Sequence, residues 1–260
     1  MVEAPKIKIF YNKIKKYINK YIKKIKSNKK EYDILVGQII KNIYFIGKHT
    51  WFEFEDFYMR IHFIMYGRIN INKLYKKRKP QLTLYIDKNK IYFYKSSIKI
   101  IKGTDLKKYL ISKEIYDISN DSYSEKLHKK FIKKNLDKFK NVYITDFILD
   151  QRLFPGVGNI LKNEVLYQSK IHPKLKVKKI NINKIYYIID LLKIICDKMY
   201  FYEKNINENN FSKIFNNVRN KVFKIYNKSI CTYCNQKIKI KYLGNTNRKT
   251  YYCDCYEKNN

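Results

Sequence analysis

Apolar residues first recur along the chain with the period of a helix. Between residues 6 and 26 they are spaced three or four apart with lysines between them, which predicts one long amphipathic helix. Such a helix can lie on a membrane surface, but packing on a core with its lysines in water is the interpretation we favour.

The period then becomes that of β-strands. Short β-branched and aromatic runs are separated by Gly, Asn, Asp and Lys, which is typical of an antiparallel sandwich or barrel. Gly37, Gly47 and Gly67 are expected at turns or bulges. The predicted strands cover residues 38–45, 48–55, 58–65, 81–86, 90–94 and 97–101.

From about residue 122 the pattern is helical again. Ser122 and Glu125 have the spacing of a capping box, which would open a helix that runs to about residue 140. A second helix starts near residue 142, a third follows a glycine-rich turn, and a long one covers residues 184–202. The Asn-rich residues 205–220 are expected to form a loop.

The glycine-rich turn interrupts an apolar segment. Pro155, Gly156 and Gly158 break the pattern, and a helical period restarts at Ile160. Unpaired N–H groups in the first turn of that helix would bind a phosphate well. The turn is therefore either a grip on a nucleic-acid backbone or a plain helix–loop–helix corner, and its shape alone does not decide between them.

The charge of the chain changes that balance. Its 260 residues include 57 Lys and Arg against 22 Asp and Glu, a formal net charge of +35. A charge of this size favours nucleic acid as the partner, although abundant Ile, Lys, Asn and Tyr also point to an AT-rich genome. Binding to phosphates should be sensitive to salt and independent of sequence.

No secretory signal precedes the first helix, and the most apolar window does not resemble a membrane span. That window, residues 185–202, is interrupted by Asp190, Lys193 and Asp197. It is too short and too charged to cross a bilayer. We therefore expect an intracellular protein, nuclear or cytoplasmic, that does not bind a membrane.

Four of the five cysteines lie near the end of the chain, as Cys231-x-x-Cys234 and Cys253-x-Cys255. Two pairs separated by the length of a β-hairpin are typical of a structural zinc ribbon, and disulfides are less favoured in an intracellular protein. Because C-x-C is tighter than the usual knuckle, Cys255 is the weakest of the four predicted ligands. Cys196 lies on an apolar helix face and is expected in the core.

Together these motifs resemble the Fpg/Nei family of bifunctional DNA glycosylase/AP lyases, and in particular its Nei-like branch. The resemblance covers essentially the whole chain. Its most specific part is residues 150–164 with Ile171-His172-Pro173, which are similar to the family's helix–two-turn–helix. The other motifs are residues 223–226 and Arg248-x-Thr250 for the zinc finger, 47–54 and 62–67 for the β-domain, and 1–5 for the amino terminus.

The resemblance implies that the nucleophile is the α-amine of Val2, set free when the initiator Met is removed. An α-amine has a pKa near ~8 against ~10.4 for lysine, so more of it is neutral and able to form a Schiff base with the sugar C1′. By the same resemblance Glu3 would shuttle protons between the sugar and the departing base. Lys48 would contact phosphate and position the sugar. Taken alone, Glu3 and Lys48 would pass as ordinary surface charges.

The resemblance also assigns Asn159 and Arg248 to the phosphate backbone, and Met65 to the gap left by an extruded nucleotide. Alone, Arg248 would be a surface arginine and Met65 a core residue. In many members a further segment adds an arginine and an aromatic to that gap, and here residues 94–99 replace it. The side chains that fill this gap form a wedge, which is incomplete here. We therefore predict a preference for single-stranded or bubble DNA.

We therefore predict an α+β fold in three parts. These are an amino-terminal helix with an antiparallel β-sandwich (residues 1–118), a helical domain with the helix–two-turn–helix (119–222) and a zinc-finger hairpin (223–260). The predicted function is removal of oxidised bases from DNA, pyrimidines in preference, followed by AP lyase cleavage through a Schiff base on Val2.

We expect a monomer with a structural Zn2+, whose predicted ligands are Cys231, Cys234, Cys253 and Cys255. Its expected partner is DNA with oxidised or abasic sites. Two alternatives keep the basic surface and the zinc but lack the chemistry. One is a non-catalytic DNA- or RNA-binding module, and the other is a zinc-ribbon subunit of a larger nucleic-acid machine.

Overall fold

The chain forms two compact units, Met1–Glu114 and Ile115–Asn260, each with buried core residues of its own. The computed structural model describes residues 2–103, 106, 108, 110, 112, 116–204, 216, 218 and 220–259. The predicted division of the second unit into a helical domain and a zinc finger at residue 223 stays a prediction.

The first unit is built on a six-stranded antiparallel sheet in the order β1-β5-β6-β4-β3-β2. A helix, α1 (Ala4–Ile14), precedes the sheet. The strands are β1 (Ile22–Ser27), β2 (Asn42–Ile46), β3 (His49–Glu53), β4 (Phe57–Ile71), β5 (Leu82–Ile86) and β6 (Asn89–Lys102). Antiparallel strands are found at each predicted run, with three differences: the run at 38–45 is a strand only from Asn42, β4 continues to Ile71, and the runs at 90–94 and 97–101 are joined in β6.

The apolar face of α1 packs on this sheet. Phe10 contacts Phe63 of β4 and Tyr11 contacts Phe45 of β2, each with ring centroids 4.8 Å apart. Phe10 and Ile7 are fully buried. Since complete burial of a large apolar side chain contributes about 1.5–3 kcal/mol, these contacts fix the helix and the two residues that precede it.

The long helix predicted for residues 6–26 is wrong beyond Ile14, because the chain turns and enters β1. A bulge between Ile22 and Lys24 inserts one residue into the pairing of β1 with β5. Ile22 therefore pairs with Ile86 and Ile25 with Leu84, on the same face of the sheet. An apolar spacing of three, which suggests a helix in the sequence, arises here from a bulged strand.

The second unit combines helices with a two-stranded hairpin, so the α+β class is confirmed. Its elements are α2 (Glu125–Asn135), α3 (Ile144–Leu149), α4 (Asn159–Gln168), α5 (Ile182–Lys204), β7 (Lys239–Leu243) and β8 (Arg248–Tyr252). The capping box is misplaced in the prediction, since Ser124 and not Ser122 caps α2 by accepting the N–H of Leu127 at 3.4 Å. The Ser122 hydroxyl instead donates to Asn120 Oδ1 at 2.9 Å.

Two further predictions concern α5 and the segment after it. Cys196 lies in the core, 1 % exposed, as expected from its apolar helix face. None of the helices in the described ranges carries a stretch apolar enough to span a membrane. Most of the predicted loop at 205–220 lies outside the described residues.

Candidate functional site

The amino terminus is held at the start of α1. Val2 belongs to the core of the first unit and is 7 % exposed, and Glu3 is 2 % exposed. The Glu3 carbonyl accepts the N–H groups of Lys6 (3.0 Å) and Ile7 (3.2 Å), which closes the first turn. The two residues predicted to carry the chemistry therefore have a defined position at the positive end of the helix dipole.

Lys48 lies in the turn between β2 and β3, with a half-buried side chain. Its carbonyl accepts a hydrogen bond from Nδ1 of His62 at 3.2 Å, and the rings of His62 and His49 are 4.8 Å apart. Burial, and then the neighbouring His62, lowers the pKa of His49 to about 4. Burial also lowers the pKa of His62. Two neutral imidazoles therefore flank this turn near neutral pH, a pairing that the sequence motif did not reveal.

Met65 lies on a bulge of β4. Phe63 pairs with Ser96 and Arg68 with Tyr94, so the four residues 64–67 face only Lys95 of β6. The side chains of the bulge tip, residues 64–66, are exposed by 47, 59 and 56 %. Met65 is thus a surface residue flanked by two others of apolar character, Ile64 and Tyr66.

Close packing at Gly67 maintains this bulge. A Cβ atom on Gly67 would lie 2.7 Å from the carbonyl oxygen of Lys95 and 2.8 Å from Cβ of Phe63, closer than real atoms approach. Across the bulge, the Lys95 ammonium lies 5.7 Å from the ring centroid of Tyr66. Any side chain at residue 67 would push β4 and β6 apart and displace the tip.

Tyr66 is the exposed aromatic beside Met65, and the sequence did not indicate it. Tyr94, the aromatic residue of the segment that replaces the family's own (residues 94–99), is 1 % exposed, and its hydroxyl accepts the N–H of Tyr75 at 2.9 Å. Tyr94 therefore supports the interior of the sheet. Strand alternation does not predict bulges, so the exposure of Tyr66 could be found only from the pairing register.

In the second unit, the side chain of Gln151 closes the turn between α3 and α4. Its Nε2 donates to the carbonyls of Leu149 (2.9 Å) and Val157 (2.8 Å), and its Oε1 accepts the N–H of Gly156 (3.2 Å). These bonds give the glycine-rich turn one conformation. Asn159 comes next, as the first residue of α4.

Asn159 and Asn163 of α4 hold strand β8. Nδ2 of Asn159 donates to the carbonyl of Lys249 at 2.8 Å, and Nδ2 of Asn163 approaches the same oxygen at 3.4 Å. Oδ1 of Asn163 accepts the N–H of Tyr251 at 2.8 Å. Asn159 is 4 % exposed and contacts the backbone next to Arg248, so the two predicted phosphate-binding residues are brought together within this unit.

A buried lysine extends this contact to Arg248 itself. Lys162 is fully buried, and its ammonium donates to Oγ1 of Thr250 at 2.7 Å. The Thr250 hydroxyl in turn donates to the carbonyl of Arg248 at 2.9 Å, while the Arg248 side chain is exposed. Sequence reasoning missed Lys162, because a lysine on a helix is ordinarily assigned to the surface.

Asp146 of α3 holds the turn between β7 and β8. Its carboxylate accepts the N–H groups of Asn245 (2.7 Å) and Thr246 (3.1 Å) and the hydroxyl of Thr246 (2.6 Å). Gly244 has a φ of +74° and lies so close that a Cβ atom there would overlap this carboxylate. We call the three hydrogen bonds to Asp146 the Asp146 clamp, and the bonds of Asn159, Lys162 and Asn163 to β8 the α4 contacts. Together they hold the Arg248 hairpin at its turn and along β8.

The four predicted cysteines converge. Their sulfur atoms lie within 4.8 Å of one another, with 3.8 Å between those of Cys231 and Cys255 and 3.4 Å between those of Cys234 and Cys253. All four thiols are free, so the disulfide alternative is not the one adopted. Ligands at about 2.3 Å from a tetrahedral Zn2+ would be about 3.8 Å apart, so the donor set and its spacing fit zinc.

The surroundings of Cys231 favour a metal-binding thiolate. Burial raises the pKa of this thiol, but hydrogen bonds from the Tyr167 hydroxyl at 3.1 Å and the N–H of Tyr233 at 3.4 Å prevail and lower it to about 6. Metal ligation requires a deprotonated sulfur. The chain leading into the cysteines is anchored by the buried carboxylate of Glu164, which accepts the N–H groups of Lys224, Ile225 and Tyr226.

Comparison with known proteins agrees with this arrangement. Residues 118–208 match the formamidopyrimidine-DNA glycosylase H2TH domain, the helix–two-turn–helix. The chain is 30 % identical to endonuclease 8-like L720 of Acanthamoeba polyphaga mimivirus, over 97 % of this chain and 98 % of that protein. It also resembles the crystal structure of a viral DNA glycosylase, with a TM-score of 0.84 and 29 % identity over 98 % of this chain and 99 % of that one.

A second relative is much longer than this chain. Endonuclease 8-like 3 of Bos taurus is 30 % identical over 83 % of this chain, but the match covers only 34 % of that protein. The chain therefore spans about a third of the length of this relative, and the similarity concerns that part alone.

Proposed function

Because the chain belongs to the Fpg/Nei family of DNA glycosylases, we propose that it removes oxidised bases from DNA, pyrimidines in preference, and then cleaves the abasic strand. The observation that carries this proposal is the position of Val2 and Glu3, which are held against the core directly before α1. An amine and a carboxyl group at a fixed chain end suit covalent catalysis on a sugar.

The nucleophile is the α-amine of Val2 after removal of Met1. As its nitrogen bonds to the sugar C1′, the bond from C1′ to the base breaks and the base leaves with the electron pair. Opening of the sugar ring then gives a protonated Schiff base. The positive end of the α1 dipole disfavours the positively charged, protonated form of this amine. It therefore supports a neutral amine that can attack.

Glu3 moves protons between the sugar and the departing base, from a position nearly closed to water. The Schiff base makes the C2′ hydrogen acidic, and its removal breaks the bond from C3′ to the phosphate oxygen. Lys48 binds a phosphate next to the lesion and positions the sugar. Because His49 and His62 are neutral near neutral pH, no positively charged histidine among them repels Lys48.

Each unit carries residues that we assign to DNA binding. In the second unit Arg248 and Asn159 bind the phosphate backbone, with Arg248 held by the Asp146 clamp and the α4 contacts. In the first unit Met65 enters the gap left by the extruded nucleotide, where an apolar wedge partly offsets the cost of unstacking. A structural Zn2+ on Cys231, Cys234, Cys253 and Cys255 would stabilise the Arg248 hairpin.

Borohydride trapping on DNA with an abasic site tests the nucleophile. We compare the wild type with Val2→Ala, whose small side chain still permits removal of Met1, and with Val2→Leu, whose large side chain should retain it; mass spectrometry verifies each terminus. The expected result is a covalent adduct for the wild type and Val2→Ala and at least a ~100-fold loss for Val2→Leu. A wild type with a free Val2 amine that binds the DNA but gives no adduct would favour the non-catalytic binding module.

Glu3→Gln separates base removal from strand cleavage. Release of an oxidised pyrimidine should fall by about 100-fold or more, while trapping on a preformed abasic site persists, because the departing base no longer has a proton source. Excision rates for oxidised purines and pyrimidines, each in duplex and single-stranded oligomers, test the lesion and strand preferences. A clear preference for duplex would contradict the expected effect of the incomplete wedge.

A further inference from the structure

A basic cavity lined by tyrosines lies on the first unit, on the face of the sheet opposite the core. Its volume is about 510 Å³, within the range of ligand-binding pockets. The floor consists of the cross-strand row Lys26–Thr83–Tyr92 and of Tyr85, two residues after Thr83, because residues paired across β1, β5 and β6 share a face and residues i and i+2 of a strand do too. The apolar residues between them, such as Leu84 and Ile91, point to the core.

The loop between β4 and β5 forms the wall of the cavity and is held in place. The N–H of Tyr75 donates to the Tyr94 hydroxyl at 2.9 Å, and the Arg68 guanidinium lies 4.2 Å from the centroid of the Tyr75 ring. The N–H of Arg78 donates to the Tyr75 carbonyl at 3.1 Å. Tyr75 therefore anchors the loop, and the cavity does not have to be formed by its ligand.

The lining combines aromatic faces with positive charge. Lys26, Lys76, Arg78 and Lys79 contribute four cations, and none of the residues that line the cavity is acidic. Tyr85 and Tyr92 are half-buried and supply rings to the floor. A purely apolar ligand would gain nothing from the cations, and a simple anion would gain nothing from the rings. An unstacked nucleotide uses both, through base stacking and phosphate contacts.

We propose that this cavity is an accessory site for single-stranded nucleic acid, in which an unstacked base lies on Tyr85 and Tyr92 and the phosphates contact Lys76, Arg78 and Lys79. The inference rests on the proposed function in taking DNA as the polymer. The strands β5 and β6 carry the cavity, whereas Lys48 lies beyond β4 in the sheet order, between β3 and β2. A base paired in a duplex is stacked on its neighbours and cannot enter.

Equilibrium binding of undamaged, fluorescently labelled oligothymidylate tests the stacking floor. The double variant Tyr85→Thr/Tyr92→Thr keeps β-branched residues in the strands but removes the rings, and Tyr85→Phe/Tyr92→Phe keeps the rings as the matched control. We expect at least a ~10-fold weaker affinity for the threonine variant, an unchanged affinity for the phenylalanine variant, and less than a ~2-fold change for either on duplex DNA. Unfolding midpoints of both variants verify the fold.

The charged wall is tested by the dependence of the same affinity on salt. Lys76→Gln/Arg78→Gln/Lys79→Gln should lower the slope of log affinity against log salt by about 2 for single strands, at about 0.7 per phosphate contact. A triple variant on exposed positions of α2, Lys126→Gln/Lys130→Gln/Lys133→Gln, removes the same charge and should lower the slope by less than ~0.5.

Two results would overturn the proposal: an affinity of the threonine variant for oligothymidylate equal to the wild type, or equal losses for the threonine and phenylalanine variants. Tighter competition by oligouridylate than by oligothymidylate would overturn the assignment to DNA. Because the oligomers carry no lesion, these outcomes do not depend on the Schiff base. A failure of borohydride trapping would overturn the proposed function and leave the binding result in place.

Discussion

The residues of the first unit that are proposed to act on DNA and those of the second are held by different physical means. Val2 and Glu3 are fixed by the apolar packing of α1, which is spread over several side chains such as Ile7 and Phe10. Arg248 is fixed by a few polar groups, namely the solvent-accessible Asp146 clamp and the buried α4 contacts, and by the cysteine cluster. Apolar packing loses stability in steps when it is damaged, whereas a buried polar contact or a metal site fails as a unit, because its remaining partners are left unsatisfied.

The largest difference should come from removal of the metal. A strong chelator is expected to abolish the order of the hairpin and weaken DNA binding by at least ~10-fold, because structural zinc contributes about 10–16 kcal/mol in zinc fingers. The unfolding midpoint of the first unit, reported by fluorescence of Trp51, should not change. Cys255→Ser should lose zinc and Cys196→Ser should keep it, and retention of zinc by Cys255→Ser would remove Cys255 from the ligands.

Truncation of the apolar support of the amino terminus is the next largest effect. Phe10→Ala should lower the free energy of unfolding of the first unit by about 3–5 kcal/mol, measured by urea titration of Trp51 fluorescence. The exposed Lys15→Ala, on the same segment, should cost less than ~0.5 kcal/mol. If Phe10→Ala also abolished zinc binding, the two means of support would not be separate.

Acid should weaken the first unit through His49. The unfolded chain protonates this residue near pH 6.5 and the folded chain near pH 4, so the unfolded state binds more protons between these values. Stability is therefore lost as the pH falls through that window, by up to about 3 kcal/mol at about 1.4 kcal/mol per pH unit. His49→Gln should flatten this slope in Trp51 fluorescence, whereas His128→Gln, in the second unit, should leave it unchanged.

The smallest effect isolates the Asp146 clamp. Asp146→Asn retains the size of the side chain but weakens three hydrogen bonds to the hairpin turn, at an expected cost of about 1 kcal/mol and about fivefold in DNA affinity. Asp197→Asn removes a carboxylate that pairs with Lys193 on the exposed face of α5 and should change the affinity by less than ~2-fold. Equal affinities of the two variants would show that the clamp does not position Arg248.

Regular patterns in the sequence predicted the regular parts of the molecule. The strand runs, the helical period of α5 and the spacing of the cysteines each depend on neighbours in the chain, so local arguments were enough. The family motifs predicted the candidate residues for the same reason, because each motif is a contiguous segment. Helix termini were less predictable, since Ser122 and Ser124 both offer a capping hydroxyl and only the competing bond to Asn120 distinguishes them.

The remaining features depend on contacts between distant segments. The bulge that exposes Tyr66 is a matter of register between β4 and β6, and the bulge at Ile22 imitates a helical spacing. The ammonium of the buried Lys162 donates to Thr250, which lies 88 residues later in the chain. Composition and periodicity contain no information on such pairs.

The turn between β7 and β8 has a practical consequence for labelling. Tips of surface hairpins are usually the safest places for an affinity tag, a fluorophore or an inserted peptide. Here the Asp146 carboxylate binds the backbone of the tip, and Gly244 has no space for a side chain beside it. An insertion at this tip would lift the hairpin off α3 and displace Arg248, so a probe is better placed away from it.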